Sequence, residues 1–247
     1  MTVVLIHGNP ETDAIWDLLR IELARDDVIT LSPPGFGAPL PKNFDVTSDG
    51  YLHWLAQELE KLDGPIDLVG HDWGGVLVVR LAMTRPDLIR SWCTDIIGIF
   101  NHEYVWHEAA QSWQGPDGEA AVSALIDLSE SDRRAIFAQL GMGESVATEV
   151  APWVNDDMGQ AILGVYRSIS QPVVGNLGEA LHNAAERPGL CIVASQDSYT
   201  GGETLHRQAA ERAGAEVTVL DGLGHWWMCE DPTRAAELLS AWLDGQE

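Results

Sequence analysis

Short runs of contiguous apolar, often β-branched residues alternate along the chain with longer stretches whose apolar positions recur at helical spacing. The short runs are Val3–His7, Val28–Leu31, Ile66–Gly70, Ser91–Ile96, Leu190–Ala194 and Glu216–Leu220. Each is largely apolar rather than alternating, as expected of strands covered on both faces of a parallel sheet. Ile15–Ala24, Ser48–Leu62, Gly75–Thr84, Gly202–Ala213 and Pro232–Leu243 read as amphipathic helices, and Pro86 stops the third. The alternation predicts an α/β protein with a doubly wound, mostly parallel sheet of about six strands and right-handed crossovers.

One interval breaks this rhythm. From about Gly98 to Arg187 no strand signal appears, while helical and Gly/Pro-punctuated segments do, with Trp106, Trp113, Trp153, Tyr104 and Tyr166 among them. The stretch reads as a helical cap (98–187) inserted into a core made of residues 1–97 and 188–247. No internal repeat or low-complexity tract interrupts the chain.

Composition narrows the functional classes. Of 247 residues, 45% are hydrophobic and 21% charged, an ordinary globular balance. Asp and Glu number 38 against 14 Lys and Arg, a formal net charge of −24. A field of that sign repels phosphate backbones and anionic lipid, which argues against nucleic-acid or membrane partners. No apolar run approaches the roughly 20 residues that span a bilayer. Met1–Ile6 lacks the basic flank of a signal peptide, and Cys93, Cys191 and Cys229 are odd in number without metal-site spacing. A cytoplasmic protein with reduced thiols is expected.

The strongest chemical signal is Gly70-His71-Asp72-Trp73-Gly74-Gly75, between a predicted strand and a predicted helix. A small-x-nucleophile-x-small pattern at such a turn is a nucleophile elbow, which projects its central side chain from the edge of the sheet. Here that side chain is Asp72, and the N–H of Trp73 is aimed at developing negative charge. Read blandly, the same residues are a Gly-rich turn with an N-capping Asp. His7-Gly8-Asn9-Pro10 follows the first strand, where the N–H of Asn9 can supply a second oxyanion donor. Asp197 follows the fifth strand and His225 the sixth, so nucleophile, acid and base run in the order Asp72, Asp197, His225. Singly, a loop His or Asp is more often structural; together, in this order after successive strands, they form a triad pattern.

These motifs, with Gly224-His225-Trp226, resemble the α/β-hydrolase superfamily, and within it the branch of epoxide hydrolases and haloalkane dehalogenases. The resemblance covers about residues 2–97 and 189–243; the cap matches only locally. The chain departs from the family in starting at the strand before the oxyanion loop, where the family has a leading hairpin, so about six strands, all parallel, are expected. The resemblance also implies that Val28–Leu31 lies near an edge, which a helix or a second copy of the chain in a homodimer should cover.

An aspartate nucleophile restricts the reaction. Its attack on an ester or amide carbonyl gives a high-energy anhydride, whereas attack on saturated carbon gives an ordinary ester that water can cleave. His225 would activate that water and Asp197 would orient His225. Opening of an epoxide or expulsion of a halide remains. Epoxide oxygen needs a proton donor, which the epoxide hydrolases supply from two cap tyrosines. Tyr166, followed by Arg167, resembles one of these; Tyr104 is the candidate for the other, with His102 or His107 as substitutes. Halide needs N–H donors, and Asn9 with Trp73 matches an Asn/Trp pair of some dehalogenases. Asp95, after the fourth strand, stands where some dehalogenases carry their acid and is the alternative to Asp197. The sequence favours an epoxide hydrolase over a haloalkane dehalogenase, and either over a non-catalytic ligand-binding member of the fold. The expected substrate is a small apolar molecule, aromatic or even polycyclic, bound in part by Trp106, with no metal and no organic cofactor.

Overall fold

The computed structural model describes residues 1–246. A single six-stranded sheet runs in the order β2-β1-β3-β4-β5-β6, every neighbouring pair parallel. Its strands are β1 (Thr2–Ile6), β2 (Val28–Leu31), β3 (Ile66–Gly70), β4 (Ser91–Thr94), β5 (Gly189–Ala194) and β6 (Glu216–Leu220). The three central runs β3, β4 and β5 are buried along their whole length, which is why they read as largely apolar rather than alternating.

The core helices are α1 (Asp17–Leu23), α2 (Ser48–Leu59) and α3 (Trp73–Thr84) before the insertion. Between β4 and β5 only helices occur: α4 (Glu108–Gln114), α5 (Gly118–Ile126), α6 (Glu130–Phe137), α7 (Gly143–Val150), α8 (Asp156–Ser168) and α9 (Val173–Leu177), with short 3-10 turns and one π turn. Then follow α10 (Gly202–Ala213), α11 (Trp227–Glu230) and α12 (Pro232–Asp244). α1 packs on α12, while α2 packs on α3.

Several boundaries differ from the sequence pattern for local reasons. The first helix splits into a 3-10 turn at Asp13–Trp16 and α1. α3 starts at Trp73 rather than Gly75, directly behind Asp72. β4 stops at Thr94 rather than Ile96, and just beyond it the Asp95 carboxylate turns toward His71 and the Asp72 N–H. β2 is an edge strand, as expected; Ile29, Thr30 and Leu31 are half-buried, and Thr30 donates to Asp13 of the adjoining 3-10 turn at 3.0 Å.

Register brings the loops that carry the candidate residues together. Ile6 of β1 pairs with Gly70 of β3, and Gly70 pairs with Thr94 of β4, so the chain leaves all three strands at one level. Ala194 of β5 likewise pairs with Leu220 of β6, so the next two loops also emerge side by side. Ligands of open α/β sheets bind at this carboxyl edge.

Candidate active site

Asp72 sits at the tip of the β3–α3 turn with φ 48° and ψ −125°, a backbone region that L-residues rarely adopt. Close packing makes the turn achievable: a Cβ on Gly74 would lie 2.3 Å from the carbonyl oxygen of Ile6, so only glycine lets α3 approach β1 this closely. The strain turns the carboxylate toward the oxyanion loop. Asn9 N–H donates to Asp72 Oδ1 at 2.8 Å. Asp72 Oδ2 lies 3.9 Å from His225 Nε2.

His225 Nδ1–H donates to Asp197 Oδ2 at 2.8 Å, and the Tyr199 N–H donates to Asp197 Oδ1 at 2.7 Å. Burial raises the Asp72 carboxyl to about 6, against the pull of His225. Burial works against ionisation of Asp197 as well, but His225 beside it holds it down at about 2. Burial opposes a charge on His225, yet Asp197 and Asp72 raise it above the ordinary histidine value. A strong carboxylate orients the imidazole, and a weaker one faces it across a gap.

A cavity of about 190 Å³ opens on Asp72 and His225. From the core it is lined by Asn9, Pro10, Tyr199 and Trp226, and from the cap by His107, Ala109, Trp113, Leu125, Ile136, Phe137, Leu140 and Tyr166. The Tyr166 hydroxyl, on the last turn of α8, accepts from Asn9 Nδ2 at 3.4 Å and faces the Trp73 indole. Its ring stands edge-on to Trp73, with centroids 5.0 Å apart. Burial and the nearby Asp72 charge push its hydroxyl well above the usual tyrosine range, so it carries its proton.

Three expectations are corrected. Tyr104 does not enter the cavity: its hydroxyl donates to the Tyr199 carbonyl at 2.6 Å and ties the early cap to the Asp197 loop. Trp106 does not line the cavity either; it is buried behind Trp73, stacked at 6.2 Å and 12°. Trp113 and Tyr199 provide the aromatic wall instead. Asp95 does not reach His225. It accepts from His71 Nδ1 at 2.5 Å, from the Asp72 N–H at 3.1 Å and from Trp227 Nε1 at 2.7 Å.

Of the two histidines weighed beside Tyr104, His102 lies at the surface, 3.5 Å from Glu179. His107 lines the cavity and caps α4, its Nδ1 accepting the Ala110 N–H at 3.3 Å, which puts the ring proton on Nε2. Burial lowers it to about 4, so it stays neutral.

Sequence reasoning missed a second buried cluster under the site. Glu11 accepts from Gly8 N–H at 2.9 Å, from His71 Nε2 at 3.0 Å and from Trp226 Nε1 at 2.6 Å. Ligand atoms of Glu11, His71 and His225 lie within 4.8 Å of one another. Both His71 nitrogens are already hydrogen-bonded to carboxylates, however, so this donor set is satisfied by protons and does not suit a metal ion. Glu11, His71 and Asp95 lie in three separate stretches of the chain, so no local sequence pattern marks the cluster.

The parallel sheet, the strained elbow and the Asp–His–Asp arrangement define a hydrolase of the α/β type. The chain belongs to the alpha/beta hydrolase family, whose model matches residues 3–238. It is 23% identical to an (E)-2-((N-methylformamido)methylene)succinate hydrolase of Acinetobacter baylyi over 98% of this chain and 90% of that protein. Among solved structures, an E-2-(acetamidomethylene)succinate hydrolase superposes with a TM-score of 0.75 at 18% identity, covering 98% of this chain and 91% of that one. A haloalkane dehalogenase of Bradyrhizobium elkani superposes with a TM-score of 0.71 at 21% identity, covering 99% and 90%. These relatives act on chemically different substrates, so the bond that is cleaved must be read from the site. Among the described residues no helix is long and apolar enough to cross a membrane.

Proposed function

We propose that the chain hydrolyses small epoxides to diols through a covalent ester on Asp72. Asp72 Oδ2, free of the oxyanion loop, attacks one ring carbon, and the carbon–oxygen bond breaks. Tyr166 gives its proton to the departing oxygen, and the resulting phenolate keeps the hydrogen bond from Asn9 Nδ2 and faces the Trp73 indole. The His107 Nε2–H stands in the same cavity as a second donor, in the place expected of Tyr104.

The ester removes the Asp72 charge, one of the influences that raise His225. His225 becomes a neutral base and takes a proton from water, which attacks Asp72 Cγ. The oxyanion forms at Oδ1, where Asn9 N–H already donates and where the Trp73 N–H lies alongside. Collapse expels the diol oxygen, which takes the proton of the newly formed Asp72 carboxyl, and the proton on His225 restores Tyr166 through solvent.

The observation that carries this reading is the Tyr166 hydroxyl seated against Asn9 Nδ2 and the Trp73 indole. The two N–H groups a dehalogenase would turn on halide are turned here on a proton donor. The test is intact-mass spectrometry of His225→Ala, in which the ester should accumulate, after exposure to epoxides and haloalkanes. A mass gain equal to the whole epoxide supports ring opening. A gain of the alkyl group without halogen makes the protein a dehalogenase. A gain that persists in Asp72→Asn removes Asp72 as nucleophile.

A further inference from the structure

We propose that His71 is a positioning residue: held as an imidazolium between Glu11 and Asp95, it locks the oxyanion, elbow and base loops into one unit and keeps His225 able to act as a base. The inference holds for any reaction at Asp72 and does not depend on the epoxide reading.

The hydrogen bonds set the proton count. His71 Nδ1 lies 2.5 Å from Asp95 Oδ2, and Nε2 lies 3.0 Å from Glu11 Oε1. A neutral imidazole offers one N–H and one lone pair, so one carboxylate would face a lone pair in a fully buried site. Protons on both nitrogens satisfy both contacts. Burial alone would lower this histidine, but Asp95 and Glu11 outweigh it and hold it well above the ordinary value.

The two carboxylates spread the constraint. The remaining Glu11 oxygen holds the Gly8 N–H, next to the Asn9 N–H that contacts Asp72, and the remaining Asp95 oxygen holds the Asp72 N–H. Trp226 and Trp227, which follow His225, donate one indole each to Glu11 and to Asp95. Loops after β1, β3, β4 and β6 therefore meet on one imidazole.

The charge has a further consequence. Glu11, Asp72, Asp95 and Asp197 are four buried or nearly buried carboxylates around His225, and no lysine or arginine among the described residues contacts them. Together they would keep His225 protonated and useless as a base. His71, with ring centroids 4.5 Å from those of His225, opposes them, and neutral His107 and His7 add no charge of either sign.

Histidine titrations followed by NMR on the free protein test this without a substrate. In the wild type, the resonance absent from His71→Gln should stay in its protonated form to pH 9. The His225 midpoint, assigned through His225→Gln, should rise by about one pH unit in His71→Gln. In Asp95→Asn, the His71 resonance should begin to titrate below pH 9. A His71 midpoint near 6.5 in the wild type, or an unmoved His225 midpoint in a folded His71→Gln, would overturn the proposal. If His71→Gln does not fold, a long-range proton–nitrogen spectrum of the wild type at pH 8 decides. It must show one histidine with both nitrogens protonated, and a spectrum without one refutes the inference.

Discussion

The side-chain amide of Asn9 donates to the hydroxyl of Tyr166 at 3.4 Å, joining the loop after β1 to the last turn of α8. Core and cap thus meet at an oxygen that can lose its proton and keep a hydrogen bond. Tyr166→Phe should lower turnover of epoxides by roughly 10²–10⁴, the usual contribution of a general acid. Displacement of halide needs no such proton, so single-turnover alkylation of the same variant by a haloalkane should be unchanged or faster. Quench-flow with both substrate types separates the two.

Gly8 is the second point where geometry dictates an outcome. A Cβ there would lie 2.2 Å from Asp72 Oδ1 and 2.6 Å from the Trp73 N, inside the space where the oxyanion develops. Gly8→Ala should therefore reduce kcat by at least about 10²-fold, comparable with loss of an oxyanion donor. The loss should appear mainly in breakdown of the ester, read as a longer-lived adduct in rapid-quench mass spectrometry.

How much of this was legible in the sequence follows from what each residue depends on. Strands β1, β3, β4 and β5 were visible because burial on both faces writes a largely apolar run, the half-buried edge strands β2 and β6 because they are short and rich in β-branched residues, and Asp72, Asp197 and His225 because each follows a strand end at a recognisable motif. The cap residues were harder. Tyr104, Trp106, His107 and Trp113 lie on irregular segments or short helices, where no periodicity says which way a ring points. Tyr104 and Trp106 turned away, and His107 and Trp113 turned in. Asp95 was placed correctly along the chain, but its partner depends on β4 ending beside Gly70, a fact of register that one sequence does not carry. Glu11 and His71 were hidden for the same reason: their significance exists only once three loops are brought to one level.

The cavity limits substrate size. A dry cavity of about 150 Å³ suffices for benzene, so the 190 Å³ here suits one ring with a short substituent. Polycyclic epoxides, which the aromatic cap suggested from sequence, should be turned over poorly. Leu140, partly exposed at the mouth, is the residue to shorten. Leu140→Ala should raise kcat/KM for a two-ring epoxide by about tenfold and leave a one-ring epoxide within about twofold, measured by initial rates on a size series.

The pH dependence follows from the charges around Asp72. Its carboxyl is raised to about 6 by burial, so the ionised nucleophile is lost as pH falls through that value. The acid limb of kcat/KM, which reports free enzyme, should have its midpoint near pH 6 and a tenfold loss per unit below it. On the proposed route, breakdown of the ester depends on neutral His225. In the free protein His225 is raised by Asp197 and Asp72 against burial; in the ester the Asp72 contribution is gone, so its value falls. When ester breakdown limits turnover, the acid limb of kcat should therefore lie at lower pH than the titration of His225 in the free protein. Asp197→Asn removes the largest raising influence and the orienting hydrogen bond together, so it should shift that limb further down while cutting kcat by about 10³ or more. A stopped-flow pH series on wild type and Asp197→Asn checks both signs. A kcat limb coinciding with the free-protein titration would mean that Asp72 keeps its charge through the slow step, which an ester cannot do.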